Sequence, residues 1–403
     1  MEPTICDDIE SISSRIDSLY DSGSIPGHPE DNDIEFIVFC GGGVAGIALL
    51  GVLRELKRRG LYLSKNEIKY WIGSSAGAIA AAFAAMGASP EYLTDLVVST
   101  DTRIFLDYGG RSTDSKSWWT RLQDYRYGFS DLLSKWGVIR GEKFRKWFRE
   151  RMTELGWDPH TNFADLYNKT GRHLVITTTS LNTFETLYLC RSSYPYMEIA
   201  DAVDASILIP FIFPPIRMKD PHVTQGPRIL VDGGTLDNLP INACDVISDS
   251  GEILAFNRKA VGFTLVHNGK WVPDYTEIPS LLKYGLTFIQ AMHKRIQVMQ
   301  SHQPYFWDRV APIETTGITA TDFGLEKEKV LKLIESGEKC AREYFDRRAA
   351  MIRERGPLPQ NLFIPNYRLQ HAGVRCLSDD LLEKTRIYQT NPGRSCLHQP
   401  CRK

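Results

Sequence analysis

Apolar residues in this chain gather in short runs that alternate with stretches of helical spacing. Glu35–Cys40 is short and apolar enough for a buried strand, and it stops at Gly41-Gly42-Gly43. Behind it Ile47, Leu50, Leu53 and Leu56 recur at helical spacing, with Gly60 as the stop. A second apolar run, Ile68–Ile72, meets Gly73-Ser74-Ser75-Ala76-Gly77, and the alanine-rich Ala78–Met86 beyond it ends at Gly87. Strand, helix, strand, helix implies the α/β class, a central, mostly parallel sheet sandwiched by helices. Further along, the pattern predicts a helix over Glu142–Leu155, a strand over His173–Thr179 and a short helix over Asp201–Ile209. The proline-rich bend Pro210–Pro215 follows, then a strand over Arg228–Val231 that stops at Asp232-Gly233-Gly234. Leu281–Met299 and Val330–Ile352 read as amphipathic helices.

Two regions break this rhythm. Residues 1–33 hold nine Asp and Glu against Arg15 alone, and Gly23, Pro26, Gly27 and Pro29 mark the end of what reads as a flexible acidic segment. Residues 101–140 set Phe105, Tyr108, Trp118, Trp119, Tyr125, Tyr127, Phe129 and Trp136 among polar residues with no clean period. Such an insertion either covers the core or forms a lid or acyl-chain rim above the strand ends. The expected organisation is a catalytic domain over 34–260, a helical C-terminal extension over 261–355 and a polar, loosely ordered tail over 356–403.

Composition narrows the class. The 403 residues are 42% hydrophobic and 24% charged, ordinary for a globular protein, and the formal net charge of −1 disfavours a nucleic-acid binder working by basic attraction. None of the eight cysteines falls in a C-x-x-C pair. Cys396, His398 and Cys401 offer metal-ligand chemistry, although scattered thiols in a polar tail are the simpler reading. The acidic N-terminus has no apolar core of a signal peptide, and no apolar run reaches the length of a membrane span. An intracellular, cytoplasmic protein is expected, with peripheral membrane contact left open by the basic C-terminal helices.

The glycine clusters carry the chemistry. Gly41 to Gly46 also spells G-x-G-x-x-G, but a dinucleotide site needs an acid at the end of the next strand, which instead ends in Ile72-Gly73. A phosphate loop fails as well, since no Gly-Lys-Ser/Thr follows. One β-α unit before a nucleophile turn, the run makes sense as an oxyanion loop, where consecutive N–H groups can point at one spot. Ser75 is either a helix N-cap or a nucleophile presented at the sheet tip, with Gly73 and Gly77 leaving room for a tight reversal. A serine needs a base, and His173, His222, His267, His293 and His302 are candidates by position with no distinctive local signature. Asp232, at a strand end beside Gly233 and Gly234, is on its own most simply a turn.

Taken together, these three elements resemble the patatin-like phospholipases, acyl hydrolases that use a Ser–Asp dyad. Gly41–Gly46, Gly73–Gly77 and Asp232–Gly234 match the family's glycine loop, nucleophile turn and Asp-Gly-Gly/Ala element in order. Thr177–Asn182, Ala205-Ser206 through Pro210 to Pro215, and Asp232 through Asn238-Leu239-Pro240 look similar too. The resemblance spans roughly residues 34–260. Ala45 stands where many members carry Arg or Lys, and Leu208 where a small residue is usual.

The resemblance implies that Asp232 takes the Ser75 proton and that Gly42, Gly43 and Ala76 N–H groups stabilise the oxyanion. It implies a phospholipid or other lipid ester as substrate, with no metal or other cofactor. Two alternatives stand beside it: a catalytically silent lipid- or partner-binding protein, and a Ser-His-Asp esterase or thioesterase.

Overall fold

The computed structural model describes residues 34–65, 67–106, 136–220, 223–247, 253–267, 269, 276–278, 281–303, 305–355, 361–363 and 375–376. Strand β1 (Phe36–Phe39) leads through a 3-10 turn, Gly43–Ala48, into helix α1 (Leu49–Arg58). Strand β2 (Tyr70–Ser74) leads into α2 (Ala76–Met86) and α3 (Pro90–Ser99). Most of the aromatic-rich insertion, 107–135, lies outside the described residues. After it come α4 (Glu142–Glu154), α5 (Phe163–Thr170), β3 (His173–Ser180), β4 (Glu185–Cys190) and α6 (Ile199–Ser206).

Every residue of β1, β2 and β3 is buried, the signature of strands covered on both faces. Helix α2 supplies part of that cover. It is apolar nearly all round, as a buried helix must be, and its alanines let it lie close across all three strands. The sheet is a mixed one. β5 (Ile216–Met218) and β6 (Arg228–Asp232) form an antiparallel pair at one side, and β4 runs antiparallel to β3.

The C-terminal part departs from the expected helical extension. Following a short pair, β7 (Val246–Ile247) and β8 (Ile253–Asn257), strand β9 (Ala260–Val266) pairs in parallel with β1. Helix α7 (Leu281–Ser301) and the single turn α8 (Phe306–Arg309) precede β10 (Val310–Glu314), which pairs in parallel with β9. The sheet order is β10-β9-β1-β2-β3-β6-β5, so a division at residue 260 falls on the first residue of a central-sheet strand. The physical reason is that β1 has two edges. β2 covers one, and β9, from far along the chain, covers the other.

Helix α9 (Lys327–Arg355) completes this integration by lying along α1. The two backbones meet at a pair of glycines. A Cβ on Gly337 would sit 1.8 Å from the Ala48 carbonyl oxygen, and one on Gly51 1.9 Å from that of Ile334. Fully buried Glu55 on α1 accepts from Arg58 and, at 2.7 Å, from Arg59, whose guanidinium also reaches Asp346 on α9. Short strands β11 (Asn361–Phe363) and β12 (Arg375–Cys376) pair with β8 and β7 in a separate sheet.

Gly337→Ala sets two effects against each other. Alanine in a helix interior gains about 1 kcal/mol over glycine, whereas forcing a methyl group against backbone costs about 1–3 kcal/mol or more. The obstacle is a carbonyl with no rotamer to give way, so the clash should win. The urea midpoint of Gly337→Ala should fall; a midpoint at or above wild type would mean that α1 and α9 do not depend on this contact.

Candidate active site

Strand register brings Ser75 and Asp232 together. β2 pairs with the first half of β3 and ends with Ser74 opposite Thr177. β6 arrives from the other direction and pairs Asp232, Val231 and Leu230 with Thr178, Thr179 and Ser180. β4 occupies the opposite edge of β3 over 175–180, so β2 and β6 must share one edge and abut end to end. The residue after Ser74 therefore faces the last residue of β6. The buried Thr178 hydroxyl lies within reach of the Val231 carbonyl at 2.8 Å and that of Ala205 at 3.1 Å, tying β6 and α6 to β3 at this joint.

Ser75 occupies a strained reversal. Its φ of 52° and ψ of −122° lie in a region that L-residues rarely adopt. Gly77 makes the reversal possible by close approach: a Cβ there would sit 2.4 Å from the Phe39 carbonyl oxygen and 2.5 Å from that of Cys40. Gly73 in turn lies flush against Gly77. The turn is held by the Ser75 N–H, which donates to Ser206 Oγ at 2.8 Å, and by the Ser75 carbonyl, which accepts from Ala78 and Ile79. The Ser75 hydroxyl then donates to Asp232 Oδ2 at 2.6 Å, and Asp232 Oδ1 accepts from the Gly234 N–H at 2.7 Å. Burial pushes the Asp232 carboxyl up to about 6, although its bonds from Ser75 and Gly234 favour the charged form.

The glycine loop packs against this pair. Gly41 N–H donates to the Asn238 carbonyl at 3.0 Å, and Asn238 Nδ2 donates back to the Gly41 carbonyl at 3.2 Å. A Cβ on Gly41 would lie 2.9 Å from Ser75 Cβ, and one on Gly46 2.5 Å from Ala76 Cβ. Gly43 has a φ of +52° and would meet the Ala320 carbonyl oxygen at 2.2 Å. That carbonyl accepts the Val44 N–H, whereas the N–H groups of Gly42, Gly43 and Ala76 have no acceptor among the described residues. Gly233 sits against the Thr177 carbonyl, and Gly234 against Asn238. The loop and the turn each open a helix, so two positive helix ends lie beside Ser75.

The sequence model of the patatin-like phospholipase family matches residues 37–245, just over half of the chain. The chain belongs to that family. Lipid hydrolysis is the activity class that this membership supports. The chain is 28% identical to the uncharacterized protein YqhO of Bacillus subtilis, over 75% of its own length and 94% of that protein's. It is 30% identical to triacylglycerol lipase 5 of Saccharomyces cerevisiae, over 56% of its own length but only 31% of the yeast protein's. The crystal structure of VipD from Legionella pneumophila aligns with a TM-score of 0.48 at 17% identity, covering 78% of this chain and 67% of that one.

Among the described residues of this patatin-like chain, the histidines lie elsewhere. His173 opens β3 opposite Tyr70, at the far end from Thr177, stacks on the Tyr70 ring at 4.4 Å and is pushed down to about 4 by burial. His267 and His302 are exposed, and burial holds His293 at about 3. His222 lies outside the described residues. Among those described, no histidine bonds to Ser75. Ser206 and Asn238 complete the site without having been marked as site residues by the sequence. Each is one polar residue within a longer family-like stretch, and the fold gives it its partner.

The Asp232 shift has a consequence for stability. The folded-state value lies above the ordinary 3.8, so the native state holds its proton longer than the unfolded chain as pH rises. Ionised Asp232 therefore destabilises the fold above pH 6 by an amount on the order of 3 kcal/mol, and the penalty fades as pH falls from about 6 toward 4. Asp232→Asn should melt above wild type at pH 8 and approach it near pH 4. Thermal unfolding at the two pH values checks this; a variant less stable at pH 8 would contradict it.

Proposed function

We propose that the protein is a phospholipase A-type lipid acyl hydrolase working through a Ser75 acyl-enzyme. Asp232 Oδ2 takes the Ser75 proton as Oγ attacks the carbonyl carbon of a fatty-acyl ester. Negative charge gathers on the carbonyl oxygen, and the N–H groups of Gly42, Gly43 and Ala76 receive it, aided by the two helix ends. The tetrahedral intermediate collapses as Asp232 returns the proton to the departing alcohol. Water then gives a proton to Asp232 and attacks the acyl-enzyme, and the fatty acid leaves as Ser75 recovers its hydrogen.

The single observation that carries this reading is the 2.6 Å bond from Ser75 Oγ to a buried carboxylate. A carboxylate in water is a weak base for a serine hydroxyl. Burial raises its proton affinity, and Asp232, pushed up to about 6, is still ionised at neutral pH. The family's phospholipase character supports the substrate class. The oxyanion donors and the Ser75–Asp232 bond together favour an acyl hydrolase over a silent lipid-binding fold, which needs neither.

Ser75→Ala should abolish release of fatty acid from phospholipid while leaving the protein folded. Asp232→Asn should lower kcat by roughly 10²–10⁴-fold, the usual contribution of a general base. Because only ionised Asp232 can accept the proton, wild-type kcat/KM should fall as pH drops through about 6. Substantial turnover by Ser75→Ala, or a profile flat down to pH 4, would sink the proposal.

A further inference from the structure

Helix α7 lies across the candidate site and is fixed to it at several points. Leu286 is buried with Leu208, Ile212 and Phe213, and the Leu208 carbonyl accepts the Asp232 N–H at 2.9 Å. The backbone of Gly285 packs on the Phe211 ring. At the other end Gln300 Nε2 donates to Asp237 Oδ1 at 3.4 Å, and between the two ends α7 runs beside the turn Gly233–Thr235 that follows Asp232. The inward face is used up in these contacts, with Gln297 3% exposed.

The outward face is apolar and open. Tyr284, Phe288, Met292 and Met299 recur at spacings that place them on one stripe, and they are 58%, 58%, 48% and 61% exposed. Phe211, 39% exposed, extends the stripe at the Gly285 end. A cation accompanies it. Arg295 is exposed on the same side as Met292 and Met299, and the helix contains no Asp or Glu. Lys294 turns inward instead, donating to buried Gln297 Oε1 at 3.3 Å. No described helix is long and apolar enough to cross a membrane. An apolar stripe with an exposed arginine and without acids has the composition of a helix that lies in the plane of an anionic lipid interface.

We propose that the outer face of α7 seats the protein on an anionic phospholipid bilayer. The bilayer is the occupant that fits because the face runs on through Phe211 into the Leu208 segment that holds Asp232, and exposed Arg295 with no acid on the helix complements anionic headgroups. A substrate ester would then reach Ser75 from the surface on which the enzyme rests. This choice of occupant rests on the lipid-ester reading of the site, so binding and turnover are measured separately.

The test uses the full chain carrying Ser75→Ala, floated with vesicles of phosphatidylcholine mixed with phosphatidylglycerol and with vesicles of phosphatidylcholine alone. The Ser75→Ala chain should float with the anionic vesicles in preference. Adding Phe288→Asp and Met292→Asp should weaken that binding about 10-fold or more, as expected for two apolar side chains lost from the interface. In a wild-type background the same pair should leave turnover of a soluble short-chain ester within about twofold while lowering hydrolysis of vesicle lipid. Thermal melting of the double variant verifies that it is folded. Equal flotation with and without the two aspartates would overturn the proposal, as would absence of flotation by the Ser75→Ala chain. A dimer in solution that the aspartates dissolve would overturn it too, by assigning the face to a second copy. Flotation that depends on the stripe without any ester turnover by wild type would remove the hydrolase reading and leave the docking face standing.

Discussion

The arrangement depends on a carboxylate placed where water hardly reaches, with a serine hydroxyl as one of its few partners. Asp232 is 6% exposed and accepts from Ser75 and from the Gly234 backbone. Such a group costs stability when ionised and gains basicity for the same reason. The sheet supplies the constraint that keeps it in place. β2 and β6 approach along one edge of β3 from opposite directions and stop beside each other, so neither residue can shift without breaking a strand ladder. The buried Thr178 hydroxyl and the Leu208 carbonyl lock the Asp232 side of the joint, and Ser206 locks the Ser75 side.

Crowding at this joint explains why glycine is concentrated there. Around Ser75 the backbones of β1, β2, the glycine loop and the first turn of α2 pass within contact of one another. A side chain at Gly73 or Gly77 would need space that backbone atoms already fill, and one at Gly41 would meet the side chains of Asn238 and Ser75. Steric need of this kind leaves a local trace, and the three glycine elements were legible for that reason. The parallel β-α-β-α opening was legible too, because buried parallel strands read as continuous apolar runs.

Other features leave no local trace. The direction in which β6 runs is set by which edge of β3 is free, which no window of sequence records. Ser206 and Asn238 are ordinary polar residues until the chain brings them to Ser75 and Gly41. The two C-terminal strands were overshadowed by the periodicity of the helices around them, so 261–355 read as an addition. In the fold β9 covers the open edge of β1, β10 extends the sheet beyond it, and α9 presses on α1 at Gly51 and Gly337. The C-terminal third is thereby part of what holds the glycine loop, since Ala320 accepts the Val44 N–H and fixes the loop's end. Phe105, just before the undescribed part of the aromatic insertion, packs on Phe144 and Trp147 of α4.

The central claim is that Ser75 is activated by Asp232 alone. Its most direct measurement is the rate at which a fluorophosphonate labels the chain, followed by intact mass and peptide mapping across pH. The account predicts one adduct, on Ser75, forming faster as pH rises through about 6. Labelling should be nearly abolished by Asp232→Asn and unchanged by His267→Ala, His293→Ala or His302→Ala. An adduct on another residue would contradict the account, as would Asp232→Asn labelling at the wild-type rate or a folded histidine variant that resists the probe.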